Sequence, residues 1–236
     1  MPKMVFDIET VGEDFNSFDE MTQESLTRWI RKESQDKNEY QTALEELKNG
    51  MGFSPLTGSI VTIGMLNPDT GKGEVCFQAP GQKLEPWTMD GITFTPMDEK
   101  GMLEKFWTTA THYQEFISFN GKAFDVPFLM VRSAIHQIRP TKDLMSNRYL
   151  GSQKFDAKHV DLLDQLTFYG AVRRRGSLHL WCRAFGIKSP KAEGVTGDDV
   201  SKLFAAKKFK EIAEYNVGDL QATKALYEYW DSYVRF

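Results

Sequence analysis

The chain has few cysteines, since only Cys76 and Cys182 occur among its 236 residues. They lie far apart in the sequence and suit reduced thiols in a cytoplasmic protein better than the disulfide framework of a small secreted domain. Cysteine and histidine pairs at the short spacings of zinc sites are also lacking. We therefore expect reduced thiols, a cytoplasmic location and no structural zinc.

Long apolar runs and an excess of positive charge are lacking as well. No stretch approaches the roughly 20 apolar residues of a membrane-spanning helix. Asp7 and Glu9 interrupt the one early apolar run, so the N-terminus has no signal-peptide pattern. The net charge is −4, which argues against binding nucleic acid by bulk positive charge but allows an enzyme with a local basic rim. We expect no membrane partner.

The most informative segment is residues 5–10, where apolar and acidic residues alternate. The apolar residues favour a buried strand, on which Asp7 and Glu9, two positions apart, project to the same face. Two adjacent carboxylates on a buried strand repel each other and lose hydration, so the pair indicates a cation or a proton between them. An edge strand with a solvated acidic face is the alternative, and the segment alone does not decide between the two.

The order of patterns along the chain predicts an α/β fold. Strands are expected at residues 5–10, 59–66, 74–77 and 115–119, with a loop at 80–97 that contains a short hairpin near 92–94. Helices are expected at residues 21–33, 36–49, 98–111, 124–138, 158–168, 177–185, 198–206 and 208–233. The first three strands would form an antiparallel meander, with residues 13–58 inserted in its first connection. We expect one domain over residues 1–236, in which helices flank a mixed sheet with an antiparallel edge and the C-terminal half is helical.

Two later segments offer further oxygen ligands. Asp125 follows a strand end, where α/β sheets place ligand-binding groups, although a helix N-cap or a first-turn acid favoured by the helix dipole is the better explanation in isolation. Tyr215 and Asp219 are four positions apart and would share one face of a helix. The alternative there is an ordinary amphipathic helix with Tyr215 partly buried and Asp219 solvated.

Together these segments resemble the three motifs of the DEDD superfamily of 3′→5′ exonucleases. The chain has Phe-Asp-x-Glu-Thr near its N-terminus, Asn-x-x-x-Phe-Asp in the middle and Tyr-x-x-x-Asp near its C-terminus. The resemblance spans about residues 4–226. Within the superfamily the chain resembles the Tyr-containing branch, because the His branch would have histidine where Glu214 stands. It resembles the proofreading exonuclease domain of family B DNA polymerases, here expected to be free-standing. The resemblance implies a ribonuclease H-like fold.

The same resemblance implies phosphodiester hydrolysis with two divalent ions, Mg²⁺ or Mn²⁺, which prefer carboxylate and water oxygens. It implies that Asp7 bridges both ions and that Glu9 and Asp219 complete the site of the attacking water. Asp125 would serve the second ion through water. Tyr215 would orient the attacking water, because a hydroxyl with an ordinary pKa of about 10 is a weak base at neutral pH.

Substrate contacts are expected beside these acids. Asn120 and Phe124 flank the second motif and could bond to the terminal nucleotide or stack on its base, and Thr10 could contact the 3′-hydroxyl. Packing in the core is the slightly favoured alternative for Phe124.

Basic residues at 173–175, and Lys188 and Lys191 around Pro190, could contact phosphates along the strand. The alternative, which is equally favoured, is that these basic side chains are simply exposed to solvent. Structural, surface or capping roles are expected for His159, His179, Asp161 and Asp164.

The sequence thus predicts a metal-dependent 3′→5′ exonuclease that acts on single-stranded ends, with DNA as the expected substrate and DNA repair or processing as the expected role. An exoribonuclease of the same chemistry is one alternative, because nothing in the sequence recognises a 2′-hydroxyl. A non-catalytic nucleic-acid-binding module is the other. The four acids argue against it, since concentrated negative charge repels a phosphate backbone.

Overall fold

The computed structural model describes residues 1–189 and 199–236, and a seven-stranded mixed sheet lies at its centre. The strands are β1 (Lys3–Gly12), β2 (Gly58–Leu66), β3 (Gly73–Phe77), β4 (Trp87–Met89), β5 (Ile92–Pro96), β6 (Glu115–Ser118) and β7 (Lys158–Asp161). The helices are α1 (Glu20–Glu33), α2 (Lys37–Gly50), α3 (Glu99–Ala110), α4 (Asp125–Ile135), α5 (Leu162–Leu166), α6 (Leu178–Phe185), α7 (Val200–Ala205) and α8 (Phe209–Tyr233). The strand order across the sheet is β4-β5-β3-β2-β1-β6-β7.

The predicted mixed sheet with an antiparallel edge is confirmed. Strand β2 pairs antiparallel with both β1 and β3, whereas β6 pairs parallel with both β1 and β7. The expected hairpin is strands β4 and β5, joined at Asp90 and Gly91, which both have positive φ as a tight hairpin turn requires. Strand β5 then runs parallel to β3, so the meander proper ends at β3.

The two faces of β1 pack against different helices, because its side chains alternate. Phe6 and Ile8 point into a cluster with Phe106 of α3 and Leu129 of α4. Val5 on the opposite face joins a cluster with residues of α8. Asp7 and Glu9 share the face of Val5, so the sheet presents both carboxylates toward the C-terminal helix.

The prediction of one helix over residues 158–168 is wrong, because residues 158–161 form strand β7 and α5 begins only at Leu162. The backbone of β7 pairs with β6, which offers a parallel edge, and His159 and Val160 are fully buried there. A short apolar segment does not distinguish strand from helix by period alone. Pairing with a strand some 40 residues earlier decides the outcome.

The segment between β1 and β2 contains α1, α2 and a 3-10 turn at Met51–Phe53. Both helices begin at an aspartate, Asp19 and Asp36, whose carboxylate accepts backbone hydrogen bonds from the first turn.

Pro190, Lys191 and the predicted helix start at residue 198 lie outside the described residues. In the two described ranges, no helix is both long enough and apolar enough to cross a membrane.

Candidate metal centre

Three carboxylates converge where β1 meets α8. Asp7 and Glu9 extend from β1, and Asp219 faces them from α8, each with a ligand oxygen within 4.8 Å of the others. Glu9 is only 7% exposed. Such a set offers three hard oxygen donors at the spacing a cation needs. The structure therefore brings together three of the four acids that the sequence singled out.

Asp125 lies beside this group without joining it. It is the first residue of α4, is 3% exposed, and its Oδ1 accepts the backbone N–H of Ile8 at 3.1 Å. Strand β1 pairs with β6 only as far as Val5, so the N–H of Ile8 has no strand partner on that side and the carboxylate takes its place. This holds Asp125 at the carboxyl end of β6, next to the strand that carries the acidic pair.

The electrostatics of the site disfavour four ionised acids. Burial is the largest cause that raises the pKa of Asp7 well above its usual value, and the charges of Asp125, Asp219 and Glu9 add to it. Burial, followed by the charges of Asp219 and Asp125, likewise raises the pKa of Glu9. Burial also raises the pKa of Asp125 to about 7, against hydrogen bonds that lower it. A bound divalent cation would offset this repulsion.

Tyr215 lies one helical turn before Asp219 and is half-buried. Burial raises the pKa of its hydroxyl, and the negative charges of Asp219 and Glu9 and a hydrogen bond with Asp219 raise it further. The hydroxyl therefore stays protonated at neutral pH. It can donate a hydrogen bond or orient a water, but it is a poor base.

Asn216 is a site residue that the sequence analysis missed. Its side chain is fully buried, and its Nδ2 donates to Asp7 Oδ2 at 2.8 Å. Its Oδ1 accepts no hydrogen bond from residues 1–189 or 199–236 and lies against Gly64, where an added Cβ would collide with it. Gly64 pairs directly with Asp7 across the sheet. A glycine inside an apolar strand indicates such a close approach, and that signal was available in the sequence.

The three residues expected to contact substrate occupy two places. Thr10 and Phe124 line one cleft together with Glu9, although the Thr10 hydroxyl donates to the carbonyl of Gly52 at 2.7 Å. Asn120 instead lines a neighbouring depression and has a left-handed φ of 63°. The structure does not bring Asn120 into the cleft that holds Thr10 and Phe124.

The neighbouring depression contains a charge network around two buried aspartates. Asp161 caps α5 and also accepts the backbone N–H groups of Asn120 and Lys122, both at 2.9 Å. Asp164, 5% exposed, pairs with Arg148 at 2.7 Å and with Arg175 at 3.2 Å. The capping role expected for Asp161 is confirmed, and a surface role for either aspartate is wrong. In the basic run, Arg175 makes an ion pair while residues 173 and 174 are exposed.

Both histidines that were expected to be structural have hydrogen-bond partners. His159 is fully buried, with Nε2 at 2.7 Å from Ser118 Oγ and Nδ1 at 3.2 Å from the carbonyl of Leu144. Burial lowers its pKa to about 3, so the ring is neutral. His179 Nδ1 lies 2.7 Å from Ser189 Oγ.

Comparisons with known proteins agree with the fold. Residues 75–232 match the model of a family described as predicted 3′-5′ exonucleases related to the exonuclease domain of PolB. The family B DNA polymerase of the hyperthermophilic archaeon Pyrobaculum calidifontis superposes with a TM-score of 0.58 at 16% identity, over 97% of this chain and 24% of the polymerase. Identity this low shows a shared fold, which confirms the ribonuclease H-like architecture, and the chain spans about a quarter of that polymerase. No curated protein sequence matches the chain.

Proposed function

Because this chain belongs to the family of predicted 3′-5′ exonucleases related to the exonuclease domain of PolB, we propose that it is a metal-dependent exonuclease. It removes nucleotides from the 3′ end of single-stranded nucleic acid, with DNA as the proposed substrate, and residues 1–236 act as one domain. The observation that carries the proposal is the meeting of Asp7, Glu9 and Asp219, whose ligand oxygens lie within 4.8 Å of one another.

The donor set fits Mg²⁺ or Mn²⁺, which bind hard oxygen ligands. Asp7, Glu9 and Asp219 would hold the ions, and Asp125 would act on the second ion through water. When bound, a pair of divalent ions supplies a nucleophile at neutral pH and offsets charge on the phosphate and the leaving oxygen. The raised pKa values of Asp7 and Glu9 support this assignment, because buried acids of this kind become fully ionised most readily beside a cation.

The chain's own groups orient the reactants. The protonated Tyr215 hydroxyl, hydrogen-bonded with Asp219, is placed to orient the attacking water. Asn216 fixes one carboxylate oxygen of Asp7 by its 2.8 Å hydrogen bond, which leaves the other oxygen available for a cation. Thr10 and Phe124 line the cleft beside Glu9 and would contact the terminal nucleotide.

Digestion of 5′-labelled oligonucleotides tests the proposal, with single-stranded and recessed 3′ ends made of DNA or RNA, in Mg²⁺, Mn²⁺ or EDTA. We expect a ladder of products shortened from the 3′ end that disappears in EDTA, and faster hydrolysis of DNA. Faster hydrolysis of RNA would assign an exoribonuclease, and binding without any product would assign a binding module.

Substitution of Asp7 provides the matched test. We expect Asp7→Ala to reduce hydrolysis to background, because a shared ligand is removed, while the circular dichroism spectrum stays unchanged. Asp69→Ala is the control: Asp69 is a half-exposed acid that pairs with Lys3 at 3.7 Å, at the opposite end of β1. Activity that survived Asp7→Ala would refute the metal mechanism.

A further inference from the structure

The segment between β1 and β2 contributes residues to the cleft that Glu9 of the acidic site also lines. This segment precedes the 75–232 region of the family match. The cleft is about 610 Å³ in volume, and Glu9, Phe124, Gly52 and Phe53 are among the residues that line it. The inserted segment is therefore part of the proposed site rather than a remote addition.

The loop that carries Phe53 is fixed to the sheet by several contacts. The carbonyl of Gly52 accepts the Thr10 hydroxyl at 2.7 Å, and the Glu13 N–H donates to the carbonyl of Thr57 at 2.9 Å. Gly12 and Gly52 pack backbone to backbone, since an added Cβ at Gly52 would lie 3.0 Å from the nitrogen of Gly12. Phe53 is thus held at a defined position above the end of β1.

Phe53 is 62% exposed despite this anchoring. Its ring lies edge to face with that of Phe124, with centroids 6.4 Å apart and planes at 63°. Phe124 packs in turn on buried Phe128 at 5.2 Å. The two rings form an apolar corner that is open to the cleft, next to the buried carboxylate of Glu9.

An apolar corner beside a site for cations suits one part of a nucleic acid. The phosphate is drawn to the cations, and the flat face of the attached base stacks on aromatic side chains whatever its sequence. Lys48 and Lys202 line the same cleft, as does Glu46. Lys48 pairs with Glu45 at 2.9 Å and Lys202 with Asp199 at 3.1 Å, and such exposed pairs are weak enough to be exchanged for a phosphate. A 3′-terminal base that is paired in a duplex is held by its partner base and by the neighbouring base pair, so it reaches the corner only after the end frays.

We infer that Phe53 is a substrate-binding residue that stacks on the unpaired 3′-terminal base, and that the inserted segment thereby selects single-stranded or frayed ends. This inference rests on the proposed exonuclease function. It assigns to Phe53 a role in substrate binding and leaves the chemistry to the acids.

The test compares Phe53→Ala with Leu56→Ala, a control on the same loop that is 73% exposed and does not line the cleft. Both variants and the wild type hydrolyse two single-stranded oligonucleotides, one ending in a normal nucleotide and one in an abasic nucleotide. We expect Phe53→Ala to raise KM for the normal end roughly tenfold, with kcat nearly unchanged, and to have no effect on the abasic end. Phe53→Trp, which keeps an aromatic ring, should have the KM of the wild type for the normal end. Leu56→Ala should match the wild type on both ends.

An equal rise in KM on both ends, or no rise on either, would overturn the inference while leaving the exonuclease function in place. If the wild type hydrolyses nothing, the same proteins and oligonucleotides are compared by fluorescence anisotropy in Mg²⁺. A base-dependent loss of affinity in Phe53→Ala alone would then support the stacking site and refute the nuclease. The absence of such a loss would refute both.

Discussion

At the scale of single residues, the site depends on a buried amide as well as on its acids. Asn216 occupies the space between α8 and β2, donates to Asp7 and faces Gly64 without a Cβ in the way. The hydrogen bond to Asp7 fixes the orientation of that carboxylate. Burial raises the pKa of Glu9, and a hydrogen bond from Asn216 lowers it by a smaller amount. Groups that support metal ligands in this way commonly affect metal affinity as well as rate.

We expect Asn216→Ala to weaken Mn²⁺ binding roughly 10- to 100-fold, because Asp7 loses the group that orients it. The measurement is the Mn²⁺ dissociation constant by isothermal titration calorimetry. Gln221→Ala, at an exposed position on the same helix, is the control and should bind Mn²⁺ like the wild type. Unchanged Mn²⁺ affinity in Asn216→Ala would show that Asp7 is oriented without it.

At the scale of helices and strands, one buried carboxylate joins three elements of the core. Glu99 in the first turn of α3 is 7% exposed and pairs with Arg132 at 2.6 Å and His136 at 2.7 Å. It also accepts the backbone N–H of Ile60 on β2 at 2.8 Å. Burial raises the pKa of Glu99, and these hydrogen bonds outweigh it, so that the pKa lies below its usual value. Arg132 also donates to the carbonyl of Pro55 at 3.3 Å, which links the network to the loop of Phe53.

We expect Glu99→Ala to lower the free energy of unfolding by about 3–5 kcal/mol, because it leaves the Arg132 guanidinium buried without its partner. Urea unfolding followed by circular dichroism measures the loss. Glu104→Ala, an exposed acid on the same helix, should change the free energy by less than about 0.5 kcal/mol. If Glu99→Ala lowered the free energy of unfolding as little as the control does, the Arg132 guanidinium would have to be hydrated in the variant.

At the scale of the whole molecule, the acidic site makes stability depend on pH and on metal. The folded protein raises the pKa of Asp7, Glu9 and Asp125, whereas unfolding returns them to about 4. Between these values the folded state binds more protons than the unfolded state. These three acids therefore lower the free energy of unfolding as the pH rises through this window. His159, whose pKa is lowered to about 3, acts in the opposite direction below about pH 6.5, but it is one group against three.

We expect the melting temperature of the metal-free protein to fall by roughly 5–10 °C between pH 5 and pH 8. The cause is ionisation of the acids whose pKa is raised in the folded protein, and Asp125 ionises near pH 7. Saturating Mn²⁺ should reduce that fall, because the cation stabilises the ionised acids. Differential scanning calorimetry in EDTA and in Mn²⁺ measures both. The melting temperature of Asp125→Asn, whose amide oxygen can still accept the N–H of Ile8, should fall less than that of the wild type between pH 5 and pH 8 in EDTA. A melting temperature that rose from pH 5 to pH 8 in EDTA would contradict the expectation.

Short-range patterns account for what the sequence determined by itself. Alternation along a strand placed Asp7 and Glu9 on one face, and a spacing of four placed Tyr215 and Asp219 on one side of a helix. Apart from β7, the order of strands and helices and the antiparallel pairing of β1, β2 and β3 also followed from local periodicity and turn residues. These features depend on residues close together in the chain, so backbone geometry alone specifies them.

The tertiary structure alone decided the features that need partners remote in sequence. Strand β7 exists because the edge of β6 is free to pair with it, and Asn216 reaches Asp7 across 209 positions. Phe53 meets Phe124 only because glycine packing at Gly12 and Gly52 folds the inserted segment back over the sheet. Close approach of distant backbones leaves little mark on local periodicity beyond a glycine, so the sequence alone did not place these side chains at the site.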